Sequence, residues 1–272
     1  MYQALTLRSR MTGSRNLLPL AAAVIVAAAI LGAPTAARAG FAVQVYDDGV
    51  LQGGISTLAV GNSLLFSGST THFSITNGSG LSNNPGTPFT SNLNLSNNEQ
   101  ISTTFGATGG THTIQIVLSQ TDFLAPVGST FILSSSAGGS MAYLAGTNPS
   151  ATESVSATYQ GFLDNTNTLF GMPGAGSTPL QSASAAASGV GTSPLVFAPG
   201  ASVNGNVPGG VPFSMTDVLT LTLTLDPGSG QDTANATATS AAAIAPEPCS
   251  LVLALAGVPA LGIGTWIRRR RM

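Results

Sequence analysis

The chain has 272 residues, eight arginines, no lysine, ten carboxylates and a single cysteine. Residues 40–245 hold nine of those acids and no Lys or Arg, so this stretch carries a net charge of −9 with histidine neutral. That excludes nucleic-acid binding, which needs cations against phosphates. It also excludes a lysine-dependent phosphate loop and any intramolecular disulfide.

Three arginines, Arg8, Arg10 and Arg15, precede an apolar stretch at 17–31. Pro34 follows, and then the small-x-small sequence Ala37-Arg38-Ala39. This is the layout of a secretory signal peptide, which predicts a leader over 1–39 cleaved between Ala39 and Gly40. Arg8-Ser9-Arg10 is not a twin-arginine pair, so the general secretory route is expected.

Residues 40–240 read as an exported all-β body. Apolar residues alternate with Ser and Thr, which predicts strands at 41–46, 63–66, 71–76, 101–105, 111–118, 130–133, 152–162 and 213–225. The clearest is 213–225. Phe213, Met215, Leu219, Leu221, Leu223 and Leu225 share one face, and Thr220, Thr222 and Thr224 share the other. Asp217 interrupts the apolar face, which allows the strand to start after it. Asn77-Gly78 predicts a tight hairpin turn. Strands spaced about ten residues apart, with turn residues between, predict an antiparallel β-sandwich. Jelly-roll-like and immunoglobulin-like connectivities both remain open. The Gly/Ala/Ser/Pro-rich segment 171–210 reads as a loop, an insertion or a linker between two sheets. A thin Ala/Thr-rich strand at 231–240 is expected to fade into a spacer. Sequons occur at Asn77, Asn94 and Asn235, near the chance number for such a composition.

Candidate chemistry in the body is sparse. His72 and His112 each lie near the start of an expected strand beside threonines, and read as cross-strand neighbours on a half-exposed surface. A two-histidine metal site would need a carboxylate brought close by the fold. Asp164-Asn165-Thr166-Asn167 and Asp47-Asp48-Gly49 offer oxygen ligands at close spacing. Neither completes a calcium loop, since Ala175 stands at the twelfth position when Asp164 is counted as the first; both read as turns with side-chain hydrogen bonds. No nucleophile elbow is placed on a strand–helix turn. Sugar sites usually stack a ring on an exposed aromatic. The only tryptophan, Trp266, lies in the C-terminal tail, and the body offers Tyr46, Tyr143 and Tyr159. No catalytic residue, metal or cofactor is therefore assigned.

The chain ends with Pro246-Glu247-Pro248, an apolar run at 249–267, the four arginines Arg268, Arg269, Arg270 and Arg271, and Met272. As a helix the run spans about 28 Å, close to a hydrocarbon core of about 30 Å. The arginines would stop translocation on the cytoplasmic side. Cys249 at its start reads as a small apolar residue, with lipid attachment as the sharper alternative.

Motif, span and basic stop, in that order and behind a signal peptide, closely resemble the PEP-CTERM sorting signal of Gram-negative bacterial exported proteins. The resemblance covers residues 246–272, with Cys249 where members more often carry a Ser- or Ala-type residue. It implies that exosortase, an integral-membrane enzyme, recognises Pro246, Glu247 and Pro248 and processes the tail. It further implies transient anchoring in the inner membrane and association with exopolysaccharide at the cell surface or in a biofilm matrix. The expected function is thus a non-enzymatic exported surface or matrix protein, and the alternative is a carbohydrate- or calcium-binding module delivered by the same tail.

Overall fold

Period-two alternation gives each strand of the body one apolar face and one face of hydroxyls and amides. The computed structural model describes residues 40–246 apart from 88–89, 104–107, 125–130, 145–152, 173–175, 187–190, 196–200, 206–210 and 227–232. In chain order the strands are β1 (Gly40–Asp47), β2 (Val50–Leu51), β3 (Thr57–Val60), β4 (Ser63–Ser69), β5 (Phe73–Ser82), β6 (Ser91–Thr103), β7 (Gly110–Phe123), β8 (Phe131–Leu144), β9 (Ser154–Asp164), β10 (Gly176–Ser177), β11 (Gln181–Ala186), β12 (Gly191–Leu195), β13 (Ala201–Gly205), β14 (Phe213–Leu225) and β15 (Thr233–Pro246). They form two packed antiparallel sheets. The first has the order β10-β9-β14-β7-β1-β2, with β11 also on β9 and β3 also on β1. The second has the order β12-β8-β15-β6-β5-β4, with β13 also on β8. The protein is an all-β sandwich, as the alternation predicts. Among the described residues, no helix is long and apolar enough to cross a membrane. The expected leader over 1–39, Glu247, Pro248, the 249–267 span and Arg268 to Arg271 lie outside the described residues.

The core fills the space between the sheets. Phe41, Val43, Val45, Ile114, Ile116, Leu118, Leu219, Leu221 and Leu223 come from the first sheet, and Phe73, Ile75, Leu93, Leu95, Ile101, Leu133 and Ile244 from the second. Each fully buried large side chain of this kind contributes about 1.5–3 kcal/mol. Among the described residues the ion pairs are those of two histidines with two aspartates. Apolar burial and backbone hydrogen bonding therefore dominate. Side chains of the first sheet press against the second at Gly80, where a Cβ would stand 2.7 Å from Leu118 Cδ1 and 2.9 Å from Phe41 Cζ.

Several expectations are corrected. Asn77-Gly78 is no hairpin turn. β5 runs straight through it, with Asn77 at φ 57° and register shifts on both flanks, which is a bulge. Asparagine's tolerance of the left-handed region serves a bulge as well as a turn, and Gly78 lets the Phe66 ring lie where a Cβ would stand 2.5 Å from it. Segment 171–210 is not simply a loop, because β10 and β11 extend the β9 edge while β12 and β13 extend the β8 edge. In β11 the alternation is of small residues: Gln181 and Ala183 are buried and Ser182 and Ser184 exposed. The C-terminal strand neither thins nor ends at 240. β15 lies in the middle of the second sheet, pairs with β8 and β6, and reaches Pro246 opposite Phe131. Proline suits that terminal position because it donates no ladder hydrogen bond. Asp217 does not delay β14; it is a fully buried core-facing residue within it, opposite Leu118 and Gly161.

Candidate functional site

Two features of the sandwich carry side chains able to bind something: a histidine–aspartate cluster at one end, and the outer face of the first sheet.

The cluster begins with a hairpin. β1 ends at Asp47 and β2 starts at Val50, so Asp48 and Gly49 form the whole turn, with φ of 49° and 80°. Both positive values fit a type I′ turn, for which Asp-Gly is a favoured pair. Asp48 thereby lands beside β7. Its N–H donates to Thr113 O at 2.8 Å, and its Oδ1 accepts from Thr113 N–H at 2.8 Å. That leaves Oδ2 facing His112 Nδ1 at 2.7 Å. His72 comes from the other sheet, in the turn before β5. There Thr70 Oγ1 accepts from Phe73 N–H at 3.0 Å. Asp47, buried, accepts from His72 N–H on Oδ2 at 3.0 Å and lies 2.9 Å from His72 Nδ1 through Oδ1. His72 Nδ1 is also 3.4 Å from Asp48 Oδ2. The two imidazoles stack, with centroids 3.6 Å apart and planes 15° from parallel.

The histidines are therefore not cross-strand neighbours on one surface. They meet face to face across the two sheets. Burial raises the Asp48 carboxyl, but the bonds from His112 and Thr113 and the electrostatic attraction of the two nearby imidazoles outweigh it and hold it below its ordinary 3.8. Nitrogen and carboxylate oxygen together form a donor set that suits divalent metals of borderline softness.

The calcium-like sequence at 164–167 behaves differently. Asp164 Oδ1 accepts from Thr166 N–H at 2.9 Å, and Oδ2 accepts from Thr166 Oγ1–H at 2.6 Å and from Thr168 N–H at 3.2 Å. Burial pushes this carboxyl up, but those three bonds prevail and hold it below 3.8. Asn167 binds Asp122 twice, through Asn167 Nδ2–H to Oδ1 at 2.6 Å and Asp122 N–H to Asn167 Oδ1 at 2.7 Å. These oxygens serve the turn, which folds over the first sheet. Phe170 N–H donates to Ser119 Oγ, and Ser214 Oγ–H donates to Thr168 O.

The outer face of the first sheet is a field of hydroxyls. Register places Ser184, Ser156, Thr222 and Thr113 in one row across β11, β9, β14 and β7. A second row runs Ser182, Thr158, Thr220, Gln115 and Tyr46, reaching β1. Neighbours in a row are about 4.8 Å apart and rows about 6.8 Å apart. The hydroxyls of Thr113 and Thr222 lie 3.1 Å apart, Thr111 and Thr224 2.9 Å, and Gln115 Nε2–H donates to Thr220 Oγ1 at 3.2 Å. No charged side chain stands in these rows. The Thr-x-Thr-x-Thr sequence of β14 was legible beforehand; its continuation across four neighbouring strands was not.

A groove of about 440 Å³ lies between the β3 and β4 edges, lined by Ile55, Thr57, Leu65, Phe66, Ser67 and Asn77 among others. Its lining holds no carboxylate or imidazole, so it offers no acid–base pair.

Comparison with protein-family models and with curated proteins finds no match. Among solved structures, the chain is similar to TmCBM61 in complex with β-1,4-galactotriose, at 6% identity and a TM-score of 0.20, over 64% of this chain and 90% of that one. It is also similar to the enzymatically active domain of bacteriophage CBA120 tailspike protein 4, at 12% identity and a TM-score of 0.17, over 64% of this chain and 20% of that one. At such scores the function must be argued from the chain's own residues.

Proposed function

We propose that the protein is an exported, non-enzymatic surface or extracellular-matrix protein whose sandwich lies against exopolysaccharide through the outer face of the first sheet. The observation that carries this reading is the uncharged hydroxyl field on β11, β9, β14, β7 and β1. Such a field exchanges its hydrogen bonds readily with sugar hydroxyls, and its strand repeat suits an extended chain better than a single small ligand. A body without Lys or Arg favours neutral polymers over acidic ones. The tail supplies the address: exosortase is the expected processing enzyme at Pro246, Glu247 and Pro248, after transient residence in the inner membrane.

Affinity electrophoresis through gels loaded with neutral polysaccharides tests the face. Retardation of the wild-type body is expected, and its loss in Thr222→Glu/Ser156→Glu, at unchanged circular dichroism. Equal mobility of wild type and variant in every gel counts against the reading. Mass spectrometry tests the tail separately. In exosortase-producing cells the mature C-terminus is expected to fall within or after Pro246-Glu247-Pro248, and an intact Met272 terminus would show that the tail is not processed.

A further inference from the structure

We propose that Asp47, Asp48, His72 and His112 bind one divalent transition-metal ion of the zinc type, clamping the two sheets together. The distances support it. His112 Nδ1 to Asp48 Oδ2 is 2.7 Å, His72 Nδ1 to Asp47 Oδ1 is 2.9 Å, and His72 Nδ1 to Asp48 Oδ2 is 3.4 Å. Ligand atoms of Asp48, His72 and His112 all fall within 4.8 Å of one another. A tetrahedral ion bound at about 2.0–2.1 Å holds its ligand atoms roughly 3.4 Å apart. The cluster is thus close to the right size before any ion arrives.

The supporting bonds are of the kind metal sites use. Thr113 N–H fixes Asp48 Oδ1 and His72 N–H fixes Asp47 Oδ2. Each carboxylate therefore turns its other oxygen towards the imidazoles, and such outer bonds hold first ligands in place. Two nitrogens with two carboxylate oxygens select zinc-like ions over calcium and magnesium, which take oxygen only. Each imidazole must offer Nδ1 without its proton to bind the ion, so Zn²⁺ affinity should weaken at acid pH. Binding also opens the ring stack slightly, because parallel rings aim their Nδ1 lone pairs side by side.

The placement gives the ion a mechanical role. Asp47, Asp48 and His112 belong to the first sheet, whereas His72 leads into β5 of the second. An ion that binds only the folded cluster raises the unfolding temperature by mass action.

The test uses the full chain stripped with a chelator and titrated with Zn²⁺ by calorimetry. One equivalent is expected to bind, with a rise in unfolding temperature. His72→Ala and His112→Gln should each weaken the affinity at least tenfold and abolish the thermal shift. Co²⁺ should show the absorption of a tetrahedral nitrogen–oxygen site. Should His72→Ala unfold the chain, the milder His112→Gln and Asp48→Asn still report. Absence of stoichiometric Zn²⁺ binding, binding that survives loss of both histidines, or equal affinity for Ca²⁺ would each overturn the proposal.

Discussion

Phe41→Ala is expected to lower the unfolding free energy by about 3–5 kcal/mol, read from urea denaturation. Phe41 is fully buried in β1, and its ring reaches the opposite sheet at Gly80. Removing it deletes a contact that joins the two sheets and leaves a cavity that strands on both sides keep open. Gly80→Ala acts in the opposite sense. The new methyl would press on Phe41 Cζ and Leu118 Cδ1 at 2.9 and 2.7 Å, an overpacking cost of about 1–3 kcal/mol. The two changes should couple. In the Phe41→Ala background the methyl has a cavity beside it and Leu118 has room to move, so Gly80→Ala should cost little there. Equal costs in both backgrounds would show that Leu118 alone sets the spacing of the sheets.

How much of this was legible depends on which interaction decides each element. β14 was read over its observed range, with a start after Asp217 left open, because large apolar residues and threonines alternate along it. Asp217 only looked like an interruption: alternation fixed its direction inward, and the pattern outweighed one polar residue. β11 has the same alternation written in alanine and serine, where intrinsic strand preference is weak and pairing with β9 decides. β15 is a similar case. Its Ala-rich stretch is central because β8 and β6 bond it on both sides, and Ile244 is its large described core residue. Turn chemistry was legible in part: the turn read at Asp47-Asp48-Gly49 is there, as a tight hairpin, whereas Asn77-Gly78 makes a bulge instead of the expected hairpin. The histidine–aspartate cluster was visible only as separate pieces. His72 and His112 are brought together by sheet packing, which local sequence does not encode, although the turn at Asp47-Asp48-Gly49 was read as such.

The acid side of the stability curve should be governed by the turn after β9, and Gly171→Ala should remove much of that dependence. A Cβ on Gly171 would meet the Asp164 carboxylate, forcing it away from Thr166 and Thr168. Asp164 titrates below its ordinary 3.8 in the folded protein. Near that value the unfolded chain binds more protons, so stability rises with pH. The contribution is complete above 3.8 and is lost as pH falls through the lowered folded value. At neutral pH the variant should be less stable by about 1.5–3 kcal/mol, the worth of one hydrogen bond to a charged group. The gap should close as the pH drops, because the wild type loses the same bonds to protonation. Asp48, also lowered, keeps some acid dependence in the variant. Urea midpoints across this range decide the matter, and two parallel curves would mean that Asp164 is not the group responsible. Hydrogen exchange gives an independent reading. The turn covers Ser119 and Thr216, whose hydroxyls lie 2.9 Å apart beneath it, so detaching Asp164 should speed exchange around these residues and leave the far end of the β1–β7 ladder, from Ile114 to Val117, protected.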